Sequence, residues 1–307
     1  MHIEISNLRK SFGSIEALNG LEFEIASGQF FGLLGPNGAG KSTFMNLLTG
    51  FHLPDSGSFQ IDHKPYDPTN PRCKSRIGFV PQNIALYEEF TPVENLKMFG
   101  QLNGLSGSDL KDKIPNMLNR IGLADRQKDR VKTFSGGMKR RLNIASSLLH
   151  DPEILLCDEP TVGIDPQSRN AIFDLLQELN DSGTTVIYST HYMEEAEKLC
   201  DRIAIIDHGK ILAVGTIDEL MSKIPTQNHI SCKQSKLSQK ITLSTLEQFG
   251  VIQETDSNLE IHTHENFKLS EFFAWLEENN LSPRLFRIQQ STLEDLFLQL
   301  TGRALRE

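Results

Sequence analysis

The stretch QFFGLLGPNGAGKSTFMNLLTG, residues 29–50, decides the fold. Its first six residues are almost wholly apolar, as expected of a strand buried on both faces of a parallel sheet. Gly35-Pro36-Asn37-Gly38-Ala39-Gly40-Lys41-Ser42 then satisfies G-x-x-x-x-G-K-[ST] in full, with Thr43 beside it, and STFMNLLTG reads on as a helix closed at Gly50. Strand, glycine loop and helix together are the context in which such a loop cradles a polyphosphate. The glycines let backbone N–H groups turn inward around the anion. Lys41 supplies a point charge for the β- and γ-phosphates, and the Ser42 hydroxyl is placed to ligate Mg²⁺. The helix adds the positive end of its dipole. A glycine turn with an incidental lysine would not need the buried strand before it.

Downstream, ILLCDEP puts two carboxylates at the C-terminal end of the buried strand EILLC (153–157), where ligands of parallel sheets bind. Asp158 is placed to hold Mg²⁺, and Glu159 to polarise an attacking water. With the phosphate loop, that pair points to hydrolysis, because placing the water is the catalytic task of phosphoryl transfer. His191 ends the strand TTVIYST (184–190) and should emerge on the same edge, within reach of a γ-phosphate or that water. Gln82, in FVPQN, offers a neutral amide to metal or water. Taken singly, either residue reads as an ordinary loop side chain.

A second anion seat lies in TFSGGMKRR, residues 133–141. Ser135 reads as an N-cap, Gly136 and Gly137 permit close backbone approach, and Leu142, Ala145, Leu148 and Leu149 make a helical apolar stripe. The exposed N-terminus of such a helix receives anions. The bland reading is a capped helix with Lys139, Arg140 and Arg141 on its solvated face. No buried strand precedes it, so it stands apart from the sheet edge that carries Lys41.

Around these motifs, extended segments at about 2–8 and 20–27 flank a loop carrying KSFGSIEAL, and residues 83–149 read as a helical insertion. Asp165 reads as an N-cap with Pro166 at the first helical position of QSRNAIFDLLQELN. RIAIID and KILAVG, joined at His208-Gly209, suit a hairpin. Strands alternating with helices predict an α/β fold around a largely parallel sheet, with an antiparallel β part at the N-terminus. After about 225 the order is strand 229–233, helix 238–249, strands 251–255 and 258–263, helix 266–279, strand 284–289 and a last helix 292–300. This matches a ferredoxin-like split βαβ unit of α+β type, with Phe272, Phe273, Trp275 and Leu276 as a helical core face. The expected domains are 1–222 and 228–307.

With 307 residues, 38% hydrophobic and 23% charged, the chain has the profile of an ordinary soluble globular protein. A net charge of −9 argues against a general nucleic-acid binder. Cys73, Cys157, Cys200 and Cys232 show no C-x-x-C spacing and read as reduced thiols in the cytosol. No apolar run reaches the eighteen or so residues of a membrane helix, and MHIEISNLRK lacks the character of a signal peptide. Work at a membrane would require a partner that carries the span.

The phosphate loop, Gln82, FSGGM, CDEP, GID and His191, in this order, resemble the ATP-binding cassette (ABC) ATPases over roughly residues 1–220. The resemblance implies a P-loop NTPase cassette whose ATP lies between two head-to-tail copies. Ser135, Gly136 and Gly137 of one copy would close over the γ-phosphate held by Gly35–Thr43 of the other, which explains why one chain carries two seats. It further implies that Asp165 links the two sites, that Phe12 packs against adenine, that Glu159, His191 and Gln82 are catalytic, and that Ser42, Gln82 and Asp158 hold Mg²⁺. Departures exist. Phe134 and Met138 stand where leucine and glutamine are commonest, so an amide contact is lost, and Val162-Gly163-Ile164-Asp165 replaces Ser-Ala-Leu-Asp, removing a serine contact. The tail STLEDLFLQLTGRALRE, after its small domain, resembles bacterial ATPases served by separate ABC-2-type permeases, mostly exporters. That implies a homodimer beneath an integral membrane permease, on the cytoplasmic face of the inner or plasma membrane, with no nucleic-acid partner. The alternative, a soluble ABC ATPase acting on ribosomes or DNA, usually carries two cassettes per chain or long coiled coils. A P-loop kinase would leave SGGMKRR and Glu159 unexplained.

Overall fold

A computed structural model of the chain describes residues 1–224, 228–233, 243–254, 258–264 and 266–302. Strands β1 (Ile3–Phe12) and β2 (Ile15–Ile25) pair antiparallel, and β3 (Phe30–Leu34) leads into the glycine loop and α1 (Lys41–Leu48). Then follow β4 (Ser56–Ile61), β5 (Lys64–Tyr66), α2 (Pro71–Lys74) and β6 (Ile77–Val80). The helical segment holds α3 (Pro92–Leu102), α4 (Gly107–Arg120) and α5 (Gly136–Ser146). Next come β7 (Ile154–Asp158), α6 (Pro166–Asp181), β8 (Thr185–Thr190), α7 (Met193–Leu199), β9 (Arg202–Asp207) and β10 (Lys210–Gly215).

Two sheets result. The first is antiparallel, in the order β2-β1-β4-β5, and the second runs β10-β9-β3-β8-β7-β6. In the second, every neighbouring pair from β9 to β6 is parallel and only β10 runs antiparallel. Every residue of β3, β7 and β8 is buried; β3 and Ile154–Cys157 of β7 are accordingly apolar, whereas β8 also buries Thr185, Ser189 and Thr190. Each fully buried leucine or isoleucine here contributes roughly 1.5–3 kcal/mol. The helices of the insertion start on side-chain caps. Thr91 and Ser106 form capping boxes with Glu94 and Asp109, and Ser135 caps α5.

The reading of KSFGSIEAL as a loop is corrected. Strand β1 runs to Phe12 and β2 begins at Ile15, leaving only Gly13-Ser14 as the turn. Residues 11–16 are exposed at the end of a sheet, so no alternation of buried apolar residues marks them as strand. Strands β4 to β6 lie between α1 and the helical segment, a stretch in which no element is named above.

Packing divides the chain after Thr216, and a second unit begins at Ile217. It contains α8 (Ile217–Met221), β11 (Asn228–Lys233), α9 (Leu243–Leu246), β12 (Gly250–Glu254), β13 (Asn258–Thr263), α10 (Leu269–Glu278), β14 (Phe286–Gln290) and α11 (Leu293–Thr301). Its antiparallel sheet runs β12-β13-β11-β14, the order of a split βαβ unit, over a core that includes Ile230, Leu259, Ile261, Phe272, Leu276 and Phe286. Phe273 is corrected from core to surface: at 41% exposed it lies about 100° round the helix from the buried Phe272. Residues 238–242 of the expected helix, 255 of the expected strand and 303–307 of the tail lie outside the described residues. Among the described residues no helix is long and apolar enough to cross a membrane.

Candidate active site

Four adjacent strands, β3, β8, β7 and β6, run parallel, so their C-terminal ends open on one edge. Register sets Leu34 beside Thr190 and Asp158 beside Ser189. The residues just past those ends are Gly35, His191, Glu159 and, after Pro81, Gln82. Strand order thus gathers side chains that are over a hundred residues apart in sequence.

The Gly35 N–H donates to the Thr190 carbonyl at 3.3 Å, pinning the loop to the strand end. A Cβ on Gly35 would stand 2.1 Å from the Ile206 carbonyl oxygen, a backbone atom that has no rotamer by which to yield. Gly35→Ala is therefore expected to destabilise the fold by roughly 1–3 kcal/mol. Thermal melting reads this directly, and an unchanged Tm would show that β9 gives way at no cost.

Lys41 is 4% exposed. Its ammonium donates to the carbonyls of Gly35 at 2.7 Å and Pro36 at 3.0 Å, and lies 3.0 Å from Glu159 Oε1. Glu159, 5% exposed, is the hub of the site. Its Oε2 accepts from Gln82 Nε2 at 3.1 Å, and its Oε1 lies 3.3 Å from His191 Nδ1. Its backbone is left-handed, with φ 43°, and is held there by N–H bonds to Ser189 O at 3.2 Å and Ser189 Oγ at 3.0 Å. Such a non-glycine conformation costs on the order of 1 kcal/mol. The Ser189 hydroxyl in turn donates to Asp158 Oδ1 at 2.6 Å.

Lys41, Gln82 and Glu159 border a cleft of about 450 Å³, whose other lining residues are Ile15, Glu16, Ala17, Asn37, Gly38, Gly40, Ser42, Thr43 and His208. Ala39 is buried and bonds within the loop to Pro36 O and onward to Gly209. Phe12 is not among the lining residues. It is 42% exposed, and its ring meets His52 edge-on at 5.1 Å between centroids. Ser42, Gln82 and Asp158 share an adjoining hollow, where hydroxyl, amide and carboxylate oxygens make a set suited to a hard divalent cation.

Ser135 and Gly136 are exposed, and Ser135 Oγ accepts the Met138 N–H at 3.3 Å. Gly137 is buried against the start of α6, where a Cβ would stand 2.1 Å from Ser168 Oγ. Asp165 caps α6 by accepting the Ser168 N–H at 2.9 Å, and that bond, with help from the Ser168 side chain, holds its carboxyl below the usual aspartate range. Neither residues 135–137 nor Asp165 line the cleft of their own chain.

Lys139, Arg140 and Arg141, which the bland reading put on one solvated face, do not share it. Lys139 is partly exposed and pairs with Glu88, but Arg140 is 3% exposed and donates to the carbonyls of Pro81, at 2.7 Å, and Gln82. Arg141 donates to Ile121 O. Arg140 thus ties α5 to the backbone that carries Gln82, and nothing in SGGMKRR marks it as the buried one of the three. Buried Glu195 was also missed. It accepts from Thr161 Oγ1 at 2.7 Å, Tyr188 OH at 2.9 Å and Thr190 Oγ1 at 2.8 Å, joining the turn after Glu159 to the strand end before His191. The one signal for it was a carboxylate a helical turn after the histidine.

Comparison with known proteins identifies the family. The family model described as ABC transporter matches residues 18–162. The linearmycin resistance ATP-binding protein LnrL of Bacillus subtilis (strain 168) is 40% identical over 310 residues, spanning 99% of this chain and 100% of that protein. The Nod factor export ATP-binding protein I of Rhizobium sp. (strain N33) is 44% identical over 231 residues, spanning 75% and 74%. Among solved structures, the dimeric post-hydrolysis state of the ATP-binding cassette MJ0796 with ADP and Pi superposes with a TM-score of 0.63 at 28% identity, covering 70% of this chain and 98% of that one.

Proposed function

The chain belongs to the ABC transporter family as an ATP-binding subunit with ATPase activity, and on that premise we propose that two copies share two ATP molecules between them. One observation carries the reading. Lys41, Gln82 and His191 each lie 3.0–3.3 Å from Glu159, which borders the cleft with Lys41 and Gln82, while the exposed Ser135–Gly136 helix start lies off that cleft. A phosphate in the first seat then finds the second only on a neighbour. The dimeric MJ0796 structure supports the same arrangement.

In this reading Gly35–Thr43 cradle the phosphates and Lys41 exchanges Glu159 for the γ-phosphate. That frees the carboxylate to orient a water and accept its proton. His191 steadies the same water or the γ-phosphate. Ser42, Gln82 and Asp158 would hold Mg²⁺, which would supply charge neutralisation for the phosphates. Ile15 and Ala17 line the cleft where Phe12 was expected to meet adenine, so Phe12 serves only if its ring leaves His52. The chain docks peripherally on the cytoplasmic face of a separate ABC-2-type permease. Transport runs outward, as the name of the Nod factor export relative supports. Arg140 and Gln82 connect the site to the helical segment that faces that partner.

Dilution tests the shared sites. Specific ATPase activity is expected to fall as the chain is diluted below its association range, the rate following the square of chain concentration. A specific activity that stays constant at every dilution would leave each chain sufficient alone and sink the proposal.

A further inference from the structure

We propose that His2, Glu4 and His63 form a binding site for a divalent transition cation of the zinc class. The ligand atoms of all three lie within 4.8 Å of one another. Glu4 Oε1 stands 3.2 Å from His2 Nδ1 and 2.5 Å from His63 Nδ1. Ligands at 2.0–2.2 Å around a tetrahedral zinc are separated by about 3.3 Å. The His2–Glu4 spacing already fits, and His63, 77% exposed, is free to open its side. Two imidazoles and a carboxylate are a donor set suited to zinc rather than to calcium or magnesium.

Three further observations concern how the chain assembles these groups. Glu4 and Glu24 face each other across the β1–β2 pair, a like-charge juxtaposition that is unfavourable without a cation between or beside it. Glu24 Oε2 lies 3.5 Å from His2 Nε2, the ring nitrogen opposite the one aimed at Glu4. A carboxylate behind a ligating histidine fixes its tautomer and raises its basicity. His2 Nδ1 and Glu4 Oε1 are both shielded from water, and neither makes a hydrogen bond of normal geometry.

The third ligand is held at some cost. Asp62 and His63 form the turn between β4 and β5 with φ 51° and 60°, a pair of positions that asparagine and glycine normally fill. That turn is locked to the start of β1 by reciprocal bonds, His2 N–H to Asp62 Oδ1 at 3.0 Å and Asp62 N–H to His2 O at 2.8 Å. Arg76, a nearby cation, is engaged by Asp62 and Glu153. A bound ion would therefore clip the β4–β5 turn to β1, away from the residues of the ATP cleft.

The test uses the untagged full chain, stripped with a chelator and titrated with zinc chloride alone, without nucleotide. Calorimetry is expected to show a site filled by one equivalent, and melting should show a zinc-dependent rise in Tm. Glu24→Gln should weaken binding about tenfold and His63→Asn more than that. Asparagine keeps the left-handed turn, so His63→Asn should melt like the parent without metal and hydrolyse ATP normally, yet lose the zinc-dependent rise. No zinc binding by the parent chain would overturn the site. So would a His63→Asn chain that binds zinc with unchanged affinity and the same rise in Tm, which would point to the thiols or other histidines.

Discussion

Glu159→Gln is expected to cut steady-state ATP hydrolysis by about 10²- to 10⁴-fold while ATP still binds. The amide matches the carboxylate in size and still offers an oxygen to Gln82 Nε2, which Glu159 accepts from at 3.1 Å. It removes the charge that holds Lys41 at 3.0 Å, so the ammonium becomes a freer partner for phosphate and affinity should hold or rise. It also removes the base. Chains should therefore accumulate as an ATP-bound dimer, visible as a doubling of the 34.5 kDa mass in sedimentation. Turnover at the parental rate would take the proposed catalytic role from Glu159.

Mixing two crippled chains should restore activity that neither has alone. Lys41→Ala deletes the charge of the phosphate seat, and Ser135→Arg blocks the exposed helix start that is proposed to reach the neighbour's ATP. Each alone is expected to lose about 10²-fold or more, since each removes electrostatic stabilisation of the transferring phosphoryl group. In an equal mixture half of the dimers are mixed, and each mixed dimer has one intact composite site. Activity should therefore return to about a quarter of the parental value under random pairing. Ser135→Arg also loses an N-cap worth about 1 kcal/mol, so melting is checked beside activity. A mixture no more active than its components would mean that the two seats do not serve one another.

How much of this was legible depended on where each residue's information lies. The glycine loop, its strand and its helix were readable because local sterics and burial demand those residue types in that order. Asp158 and Glu159 were readable as the end of an apolar run. That Glu159 and His191 share one edge was readable from their strand ends; the contacts of Lys41 and Gln82 with Glu159 were not, because they follow from β8 lying between β3 and β7 and from β6 lying beside β7. No single stretch encodes that order. β6 is four residues with a glycine, and β4 buries only Phe59 and Ile61, so both fell below any pattern threshold. Arg140 was not singled out because helical spacing says which way a side chain points, not that carbonyls wait there to receive it. His2 and His63, sixty-one residues apart, come together only through the pairing of β1 with β4.

The left-handed backbone of Glu159 bears on how this chain responds to selection. Glycine or asparagine would relax that conformation and recover on the order of 1 kcal/mol, at the position where a carboxylate is needed most. A library screened for thermal survival alone would drift toward sturdy, inert proteins at this codon. Durability and turnover pull it in opposite directions.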